Sequence, residues 1–386
     1  MRLRWSAAAL VALTATMVVV VAQSASSASG SGVTSRVSVA SDGRQAIPNG
    51  YLYAQPAISA DGRFVAFASS ASNLVAGDTN GVPDVFVRDR LAGVTRRVSV
   101  GASGQANHFS ADPAISADGR FVAFESGASN LVAGDTNGKS DVFVRDRLAG
   151  VTRRVSVGVG GQANYTSNIP AISADGRFVA FDSGASNLVA GDTNGTDDVF
   201  VWDRLAGVTR RVSVGGSGQA NNGSYSPAVS ADGRFVAFES FASNLVAGDT
   251  NGKADVFVRD RLAGVTRRVS VGAGGQANSD SGTPTISADG RFVAFLSGAS
   301  NLVPGDTNGT YDVFVRDRLA GVTRQMSVGA GGQANDYSAF PAISANGRSV
   351  AYESYASNLV RGDTNGALDV FVRDPLLGPA PSAGRP

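Results

Sequence analysis

The sequence contains no cysteine and a single histidine, His108. The absence of cysteine excludes disulfide bonds, thiolate chemistry and cysteine-ligated zinc. There is also no strong excess of one charge, because 33 Lys and Arg face 32 Asp and Glu. Without a cluster of basic residues the composition does not indicate nucleic-acid binding, and we expect no nucleic-acid partner. No segment repeats its apolar residues with the helical period of 3.6, so a helical domain is not expected.

Long hydrophobic runs are also missing, except for one near the N-terminus. Residues 7–21 are apolar, follow Arg2 and Arg4, and precede a stretch of small residues. This pattern predicts a signal peptide over about residues 1–28, because the run is short for a membrane span. We therefore expect a secreted or cell-envelope protein with no stable membrane span after cleavage, in which the Ala, Gly, Val and Arg bias is typical of a high-GC bacterium. An uncleaved anchor is the alternative.

The dominant feature of the chain is a phrase written six times. ISADGRFVAF begins at Ile58 and returns with small changes every 57 residues, at Ile115, Ile172, Val229, Ile286 and Ile343. A fixed period of this length is typical of repeat architectures such as propellers and solenoids.

Each unit contains four short apolar runs separated by turn signals. In the second unit they are Pro-Ala-Ile-Ser, Phe-Val-Ala-Phe, Asp-Val-Phe-Val and Val-Thr-Arg-Arg-Val-Ser-Val. Four such runs predict an antiparallel meander of four strands. FVAF and VFV are apolar on both faces, so these strands need cover on both sides, which neighbouring blades of a ring would supply. The Thr and Arg of the last run suit an exposed edge strand.

The ends of the repeat array predict a closed ring. The last unit stops at Asp374, and Pro375 cannot join a strand ladder. The phrase of the fourth strand instead occurs ahead of the first unit, at residues 34–39. We therefore expect an all-β fold, a six-bladed β-propeller with four antiparallel strands per blade, closed by the N-terminal strand. It would span residues 33–375 as a monomer, followed by a Pro-rich tail at 376–386. A β-solenoid is the alternative.

Two of the repeated phrases resemble those of a known family. S-A-D-G-R-F-V-A-F, as at 116–124, resembles the S-P-D-G-K-x-I-A-F repeat of TolB-type, WD40-like propellers. D-V-F-V-R-D, as at 141–146, is similar to that family's aspartate-initiated strand. The resemblance covers all six units and implies a propeller without the additional N-terminal domain of TolB. Related propellers serve as peptidase gates, lyases and binding platforms, so the resemblance implies no single activity.

Aromatic residues concentrate where the six units differ. The loop between the second and third strands and the loop to the next blade share one face, and the variable residues fall there. Aromatic side chains with polar tips suit recognition, which predicts a face that binds a protein, peptide or glycan. Filling of gaps between loops is the alternative. The predicted ligand-binding residues are Tyr51, Tyr53, His108, Phe109, Tyr165, Tyr225, Phe241, Tyr311, Tyr337, Phe340 and Tyr355.

A second repeated phrase, G-D-T-N-G-x-x-D, partly resembles a calcium loop. Its oxygen-bearing residues are spaced like the middle of an EF-hand loop, although the final bidentate Glu is absent. Calcium is the one cofactor the sequence suggests, and capping of tight turns by Asp and Asn is the alternative. The candidate ligands are Asp78, Asn80, Asp84, Asp135, Asn137, Asp141, Asp192, Asn194, Asp198, Asp249, Asn251, Asp255, Asp306, Asn308, Asp312, Asp363, Asn365 and Asp369.

Residues for catalysis are scarce. His108 is the only candidate base for a nucleophile triad, and Ser110 and Asp112 lie too near it in sequence for triad geometry. Four carboxylates, at Glu125, Asp182, Glu239 and Glu353, occupy equivalent strand ends and predict an acidic collar, and the alternative is that they are solvated or paired with arginines of neighbouring strands. A hydrolase or lyase of polysaccharide or peptide that uses such carboxylates is one alternative function, and a calcium-stabilised structural array is another. We assign no catalytic residue.

Overall fold

The fold is an all-β six-bladed propeller whose blades are mainly four-stranded antiparallel sheets. The computed structural model describes residues 35–47, 56–329 and 331–374. A compact unit comprises residues 37–386, and only Ser35 and Arg36 of the preceding unit are described. Within the described residues no helix is long and apolar enough to span a bilayer.

Strands follow one another in chain order within each blade, with the first strand innermost. Blade one contains β1 (Ala57–Ile58), β2 (Phe64–Ser69), β3 (Asp84–Asp89) and β4 (Val94–Arg97), and blade two contains β7 (Ser110–Ile115), β8 (Phe121–Ser126), β9 (Asp141–Asp146) and β10 (Val151–Arg154). Blade three contains β13 (Ser167–Ile172), β14 (Phe178–Ser183), β15 (Asp198–Asp203) and β16 (Val208–Arg211), and blade four contains β19 (Ser224–Val229), β20 (Phe235–Ser240), β21 (Asp255–Asp260) and β22 (Val265–Arg268). Blade five contains β25 (Ser281–Ile286), β26 (Phe292–Ser297), β27 (Asp312–Asp317) and β28 (Val322–Gln325), and blade six contains β31 (Ser338–Ile343), β32 (Val350–Ser354) and β33 (Asp369–Arg373).

The predicted seven-residue fourth strand is in fact two elements. Each outer strand ends after four residues, and the chain then forms a two-stranded hairpin on the next blade. In the first hairpin Val100 pairs with Gln105, and the Val100 carbonyl accepts a hydrogen bond from Thr152 of blade two at 2.5 Å. The hairpin strands are β5 (Val100–Gly101), β6 (Gly104–Gln105), β11 (Val157–Gly158), β12 (Gly161–Gln162), β17 (Val214–Gly215), β18 (Gly218–Gln219), β23 (Val271–Gly272), β24 (Gly275–Gln276), β29 (Val328–Gly329) and β30 (Gly332–Gln333).

The hydrophobic core lies between blades, as the two-sided apolar strands predict. Val85 and Val87 of blade one pack with Val122 and Phe124 of blade two, and all four are fully or almost fully buried. Near the axis a chain of backbone hydrogen bonds joins five successive junctions, beginning with the Ala60 N–H to the Ala117 carbonyl at 2.9 Å. Five junctions therefore share this backbone contact.

Arginine and phenylalanine clamp the blades together at the opposite end from the aromatic loops. The Phe64 ring lies between Arg63 of its own blade and Arg147 of the next, with guanidinium carbons 4.7 and 4.5 Å from the ring centre. Gly119 of blade two approaches so closely that a Cβ atom there would lie 2.2 Å from the Phe64 ring, and its φ of +71° also favours glycine. A side chain at this glycine would push the two blades apart.

The sixth blade has three strands within the described residues. Val370 and Val372 of β33 are 71% and 62% exposed, whereas Val85 and Val87, their equivalents in blade one, are buried. Val39 pairs with Gln45 in an antiparallel bridge, and its carbonyl accepts a hydrogen bond from the Thr95 hydroxyl of blade one. This segment therefore contacts blade one in the way that the hairpins contact blades two to five. The sequence predicts that residues 34–39 close the ring as the fourth strand of blade six. Thr34 lies outside the described residues, and the described residues 35–39 form no strand paired with β33, so closure by this segment stays a prediction.

Candidate functional site

Three segments of every complete blade meet at one end, which we call the upper face. In blade three β13 begins opposite the end of β14, where Ser167 pairs with Ser183, and β15 begins opposite the same serine. The Ser167 hydroxyl donates to the Ser183 hydroxyl at 2.9 Å, and Ser183 donates to the Thr166 carbonyl at 2.8 Å. These buried serines fix the start of the variable loop, so its side chains project from a rigid base.

Exposed aromatic rings lie on this upper face. Tyr165, Phe241, Tyr311, Phe340 and Tyr355 are between 36% and 55% exposed. His108 is exposed, and Phe109, Tyr225 and Tyr337 are half-buried. Tyr51 and Tyr53 lie outside the described residues. The structure thus places each described aromatic candidate at or beside the upper face, although Phe340 belongs to β31 rather than to a loop.

Some of these rings contact one another between blades. Tyr311 of blade five meets Tyr337 of blade six edge-on at 6.1 Å, and the Lys139 ammonium of blade two lies 5.3 Å from the ring centre of Tyr165 in blade three. Such contacts hold the rings in place and leave part of each ring exposed. The rings therefore form a preorganised apolar surface.

The residue that follows the second strand of a blade contacts the aromatic ring of the upper face. It is glycine in blades two, three and five, and a Cβ atom on Gly184 would lie 2.7 Å from the Tyr165 ring. In blade four this position is Phe241, which packs edge-on against Tyr225 at 6.5 Å. A residue that is either glycine or aromatic thus marks a ring-bearing site, a signal that the sequence contained and that our reading missed.

Carboxylates of the predicted collar tie one blade to the next. The Asp182 carboxylate accepts a hydrogen bond from the Ser226 N–H at 3.1 Å, and Glu239 accepts one from the Thr283 N–H at 3.2 Å. Burial raises the pKa of Asp182 to about 7, and it also raises the pKa of Glu239. These two residues connect blades, whereas the sequence predicted only a shared ring of charge. Burial is the main cause of both raised pKa values, and the charges of neighbouring carboxylates, among them Glu125 beside Asp182, add to it.

Blade two carries a pair of carboxyl groups. Ala111 pairs with Glu125 across the sheet, which brings the neighbouring Asp112 carboxyl into hydrogen-bond contact with Glu125. Burial raises the pKa of Glu125 to about 7, and the charge of Asp112 adds to the rise. The pKa of Asp112 is also raised by burial. Two carboxyls in such contact titrate as a pair rather than as independent groups.

The first strands bend where they face the central channel. Those of blades two to six bulge at an equivalent residue with positive φ, a conformation that costs free energy for β-branched side chains such as Ile169 and Thr283. Ile169, Thr283 and Phe340 line a channel cavity of about 530 Å³ that also contains Glu353. Ser110–Asp112, which the sequence placed in a variable loop, form the beginning of this first strand. The bulged residues are Asp112, Ile169, Ser226, Thr283 and Phe340.

The G-D-T-N-G-x-x-D phrase forms a buried ionic network. In blade one Asp84 is fully buried and accepts hydrogen bonds from Ser99 at 2.5 Å, from the Asn80 amide at 2.9 Å and from Arg97 at 3.2 Å. Arg97 also lies 3.7 Å from Asp78. Arg97, which the sequence placed on an exposed edge, has a side chain only 8% exposed. The same network recurs in blades two, three and four.

This arrangement bears on the calcium prediction. Calcium takes six to eight oxygen ligands, but Asn80 directs its amide NH₂ to Asp84, and a guanidinium neutralises both carboxylates. As placed, these side chains do not form a calcium coordination shell. Across the described residues no group of three or more His, Asp or Glu is positioned to hold a metal. The calcium prediction itself is untested and stays a prediction.

Blade five lacks the arginine of the network. Gln325 occupies its place, and its buried Nε2 makes no hydrogen bond of ordinary geometry with the described residues, although Gln325 lies close enough to Asp312 to act on the pKa of that carboxyl. Burial and the charge of Asp312 raise the pKa of Asp306 to about 6. Asn308 still donates to Asp312 at 2.8 Å. In blade six the Asn365 amide likewise donates to Asp369 at 2.8 Å, but here the pair is exposed to solvent. Within the described residues Asp363 makes no ion pair.

Comparison with known proteins finds distant similarity to solved structures alone. No protein-family model and no curated protein matches the chain. A protein described as TolB from Agrobacterium tumefaciens is 18% identical over 72% of this chain and 80% of its own, with a TM-score of 0.44. TolB from Acinetobacter baumannii is 15% identical over 76% and 59%, with a TM-score of 0.42. Acylaminoacyl peptidase from Pyrococcus horikoshii is 11% identical over 85% and 46%, with a TM-score of 0.49.

These values describe a distant structural similarity to TolB and other six-bladed β-propeller domains. The chain spans only about three fifths of the Acinetobacter TolB and less than half of the peptidase. The similarity concerns the fold, and function has to be argued from the side chains.

Proposed function

We propose that this chain is a secreted, non-catalytic binding propeller that recognises a peptide, glycan or protein through its upper face. The observation that carries the proposal is the set of exposed aromatic rings at positions where the six repeats differ. Repeated residues build the blades, so the residues that differ are free to specify a ligand. Aromatic side chains provide a large contact area at a low entropic cost, which suits this role.

The immediate surroundings of the rings support the proposal. Tyr165 and Tyr311 are seated over glycines and held by contacts from neighbouring blades, which reduces the entropy lost on binding. Carboxylates lie among the rings, and the charges of Asp197 and Asp182 contribute to a raised pKa of the Tyr225 hydroxyl, whose main cause is burial. A ligand would therefore meet apolar rings and hydrogen-bond acceptors together.

Screening of glycan and peptide arrays tests the proposal directly. The native chain is compared with the Tyr165→Ala, Tyr337→Ala double variant. A suitable control is Val159→Ser, which removes an apolar side chain that is 84% exposed and is not one of the predicted ligand-binding residues. We expect array ligands whose signal disappears in the double variant and persists in the control. The absence of any ligand, or equal binding by both variants, would contradict the proposal.

A hydrolase or lyase is the second candidate, and the Asp112–Glu125 pair favours it. One carboxyl with a pKa of about 7 beside a second carboxyl is an arrangement that acid–base chemistry on a glycosidic bond employs. The test is turnover of acidic and neutral polysaccharides and of peptides by the native chain and by Glu125→Gln. Loss of a detected activity in Glu125→Gln, with binding retained, favours catalysis; an unchanged activity removes the pair from that role.

We also propose that the repeats belong to the TolB-type family and that the N-terminal segment is a cleaved signal. The paired S-A-D-G-R and D-V-F-V-R-D phrases support the first proposal, and the apolar run behind Arg2 and Arg4 supports the second. N-terminal sequencing of the protein recovered from a bacterial culture medium tests the second. A chain that stays in the cell with its first residues intact would contradict it.

A further inference from the structure

The face opposite the aromatic rings, which we call the lower face, carries a set of exposed leucines. They occupy the same turn between the third and fourth strands of five blades, so the propeller places them in a ring on one side. Four of the five are 80% exposed and one is 67% exposed. Single exposed leucines are ordinary, but a repeated set on one face is a patterned apolar surface. The leucines are Leu91, Leu148, Leu205, Leu262 and Leu319.

The turns hold these leucines firmly. In blade two the Asp146 carboxylate accepts hydrogen bonds from the N–H groups of Leu148 and Ala149 at 3.1 and 3.0 Å. Arg120, from the neighbouring turn of the same blade, binds both oxygens of that carboxylate at 3.0 and 2.7 Å. Gly150, with φ of +68°, closes the turn. Leu148 therefore projects from a locked turn, and the same contacts recur at Leu262.

Arginines flank the leucines. The first arginine of each fourth strand is exposed, and within the described residues none of these five has a carboxylate in ion-pair distance: Arg96, Arg153, Arg210, Arg267 and Arg324. Arg96 and Leu148 line one groove between blades one and two, and Arg210 and Leu262 line the corresponding groove between blades three and four.

The charge balance of the lower half is positive although the whole chain is almost neutral. In blade two the turns of the lower face and the adjoining strand ends contain four arginines and two aspartates, Asp118 and Asp146. Blades one, four and five contain the same numbers. Arg147 donates to the Gly119 carbonyl and stacks on Phe64, and no described carboxylate lies within ion-pair distance of its guanidinium. The lower face thus combines projecting leucines with unneutralised guanidinium groups.

We propose that the lower face docks on the surface of an anionic lipid bilayer. Leucines on rigid turns would enter the interface between headgroups and acyl chains, and the arginines would lie at the level of the lipid phosphates. A planar partner suits a ring of equivalent turns because all of them reach it at once. A soluble polyanion such as nucleic acid would use the arginines but would leave the leucines exposed to water. This inference does not depend on the function proposed for the upper face.

The lack of cysteine allows a local test. A polarity-sensitive fluorophore is attached to Leu148→Cys on the lower face and, as the control, to Phe241→Cys on the upper face. Each labelled full chain is mixed with vesicles of phosphatidylcholine alone and with vesicles that also contain phosphatidylglycerol. We expect a blue shift at position 148 with the anionic vesicles only, and none at position 241. Because the readout is local, binding by the N-terminal segment does not produce it.

A second measurement separates lipid from other anions. Replacement of Leu91, Leu148, Leu262 and Leu319 by serine leaves the hydrogen bonds of the turns intact and should lower the partition constant for anionic vesicles at least about tenfold. Soluble glycerophosphate and duplex DNA should not shift the label at position 148. Partitioning that is unchanged by the serine variant would overturn the proposal. So would a shift caused by DNA or glycerophosphate, a shift at both label positions, or no shift.

Discussion

Replacement of Arg211 by glutamine would convert the ionic network of blade three into the form that blade five already has. The Arg211 guanidinium lies 3.0 Å from Asp192 and 3.0 Å from Asp198, and its side chain is 10% exposed. Gln325 occupies the equivalent position in blade five, where Asp306 and Asp312 have no cation within the described residues. The chain thus contains the same network with an arginine in blade three and without one in blade five. Exchanging the two residues measures how much the arginine contributes to the free energy of unfolding.

The structure sets the size of the expected effect. Removal of one partner of a buried ion pair costs about 3–5 kcal/mol, because the remaining charge is left without compensation. Asp198 still accepts hydrogen bonds from Ser213 at 2.5 Å and from Asn194 at 3.0 Å, so we expect the lower end, about 3 kcal/mol. The reverse change, Gln325→Arg, should stabilise by only about 1 kcal/mol, because the gain is offset by desolvation of a new charge.

Denaturant unfolding of the full chain, followed by circular dichroism, measures both changes. Arg210→Gln is the matched control, since Arg210 is the exposed neighbour on the same strand and should cost less than about 0.5 kcal/mol. If Arg211→Gln lowers the free energy of unfolding no more than Arg210→Gln does, the ion pair of Arg211 does not stabilise the blade and the prediction is wrong. It also fails if Gln325→Arg destabilises the protein, because the blade-five carboxylates would then need no counter-charge.

Other contacts in the structure are tested by pH, by a backbone substitution and by a chelator. Arg120 lowers the pKa of Asp146 from its ordinary value of 3.8 to about 2. The pair therefore stabilises the fold above about pH 4, and this contribution is lost as the pH falls towards 2. Acid unfolding of Arg120→Gln should begin at a higher pH than acid unfolding of the native chain. Ile169→Gly should stabilise the fold by about 1 kcal/mol in denaturant unfolding, since φ of 47° strains a β-branched residue that is 40% exposed; a loss of stability would show that its channel contacts outweigh the strain. A chelator should leave the melting temperature unchanged if arginine rather than calcium neutralises Asp84, and a fall would favour the calcium array.

The sequence predicted the blades well because their strands depend on local pattern. FVAF and DVFV are apolar on both sides, and the structure buries both sides between blades, as at Phe124 and Val142. The class of fold, the number of blades and the order of strands follow from that pattern and from the 57-residue period, and they are confirmed.

Two kinds of contact escaped prediction, one within a blade and one between blades. The two arginines of the fourth strand look alike in sequence, but alternation along the strand exposes Arg96 and buries Arg97 against Asp84. The positive φ of Ser226 accompanies a bulge whose N–H is bound by Asp182 of the preceding blade. No pattern within one repeat encodes such a contact. The aromatic positions, by contrast, were visible as differences between repeats, and what they bind stays a prediction.

The phenylalanine clamp has a consequence for how many units the array can contain. A unit can be copied only if the surface it offers its successor matches the surface that the successor brings. Blades one to five each offer a ring at the position of Phe64, but blade six has Ser349 there, and Pro375 stands where the other units have an arginine such as Arg90. A further duplicate inserted after blade six would find no ring for its arginine and glycine to grip. The side chains of the sixth unit therefore do not support the addition of another copy behind it.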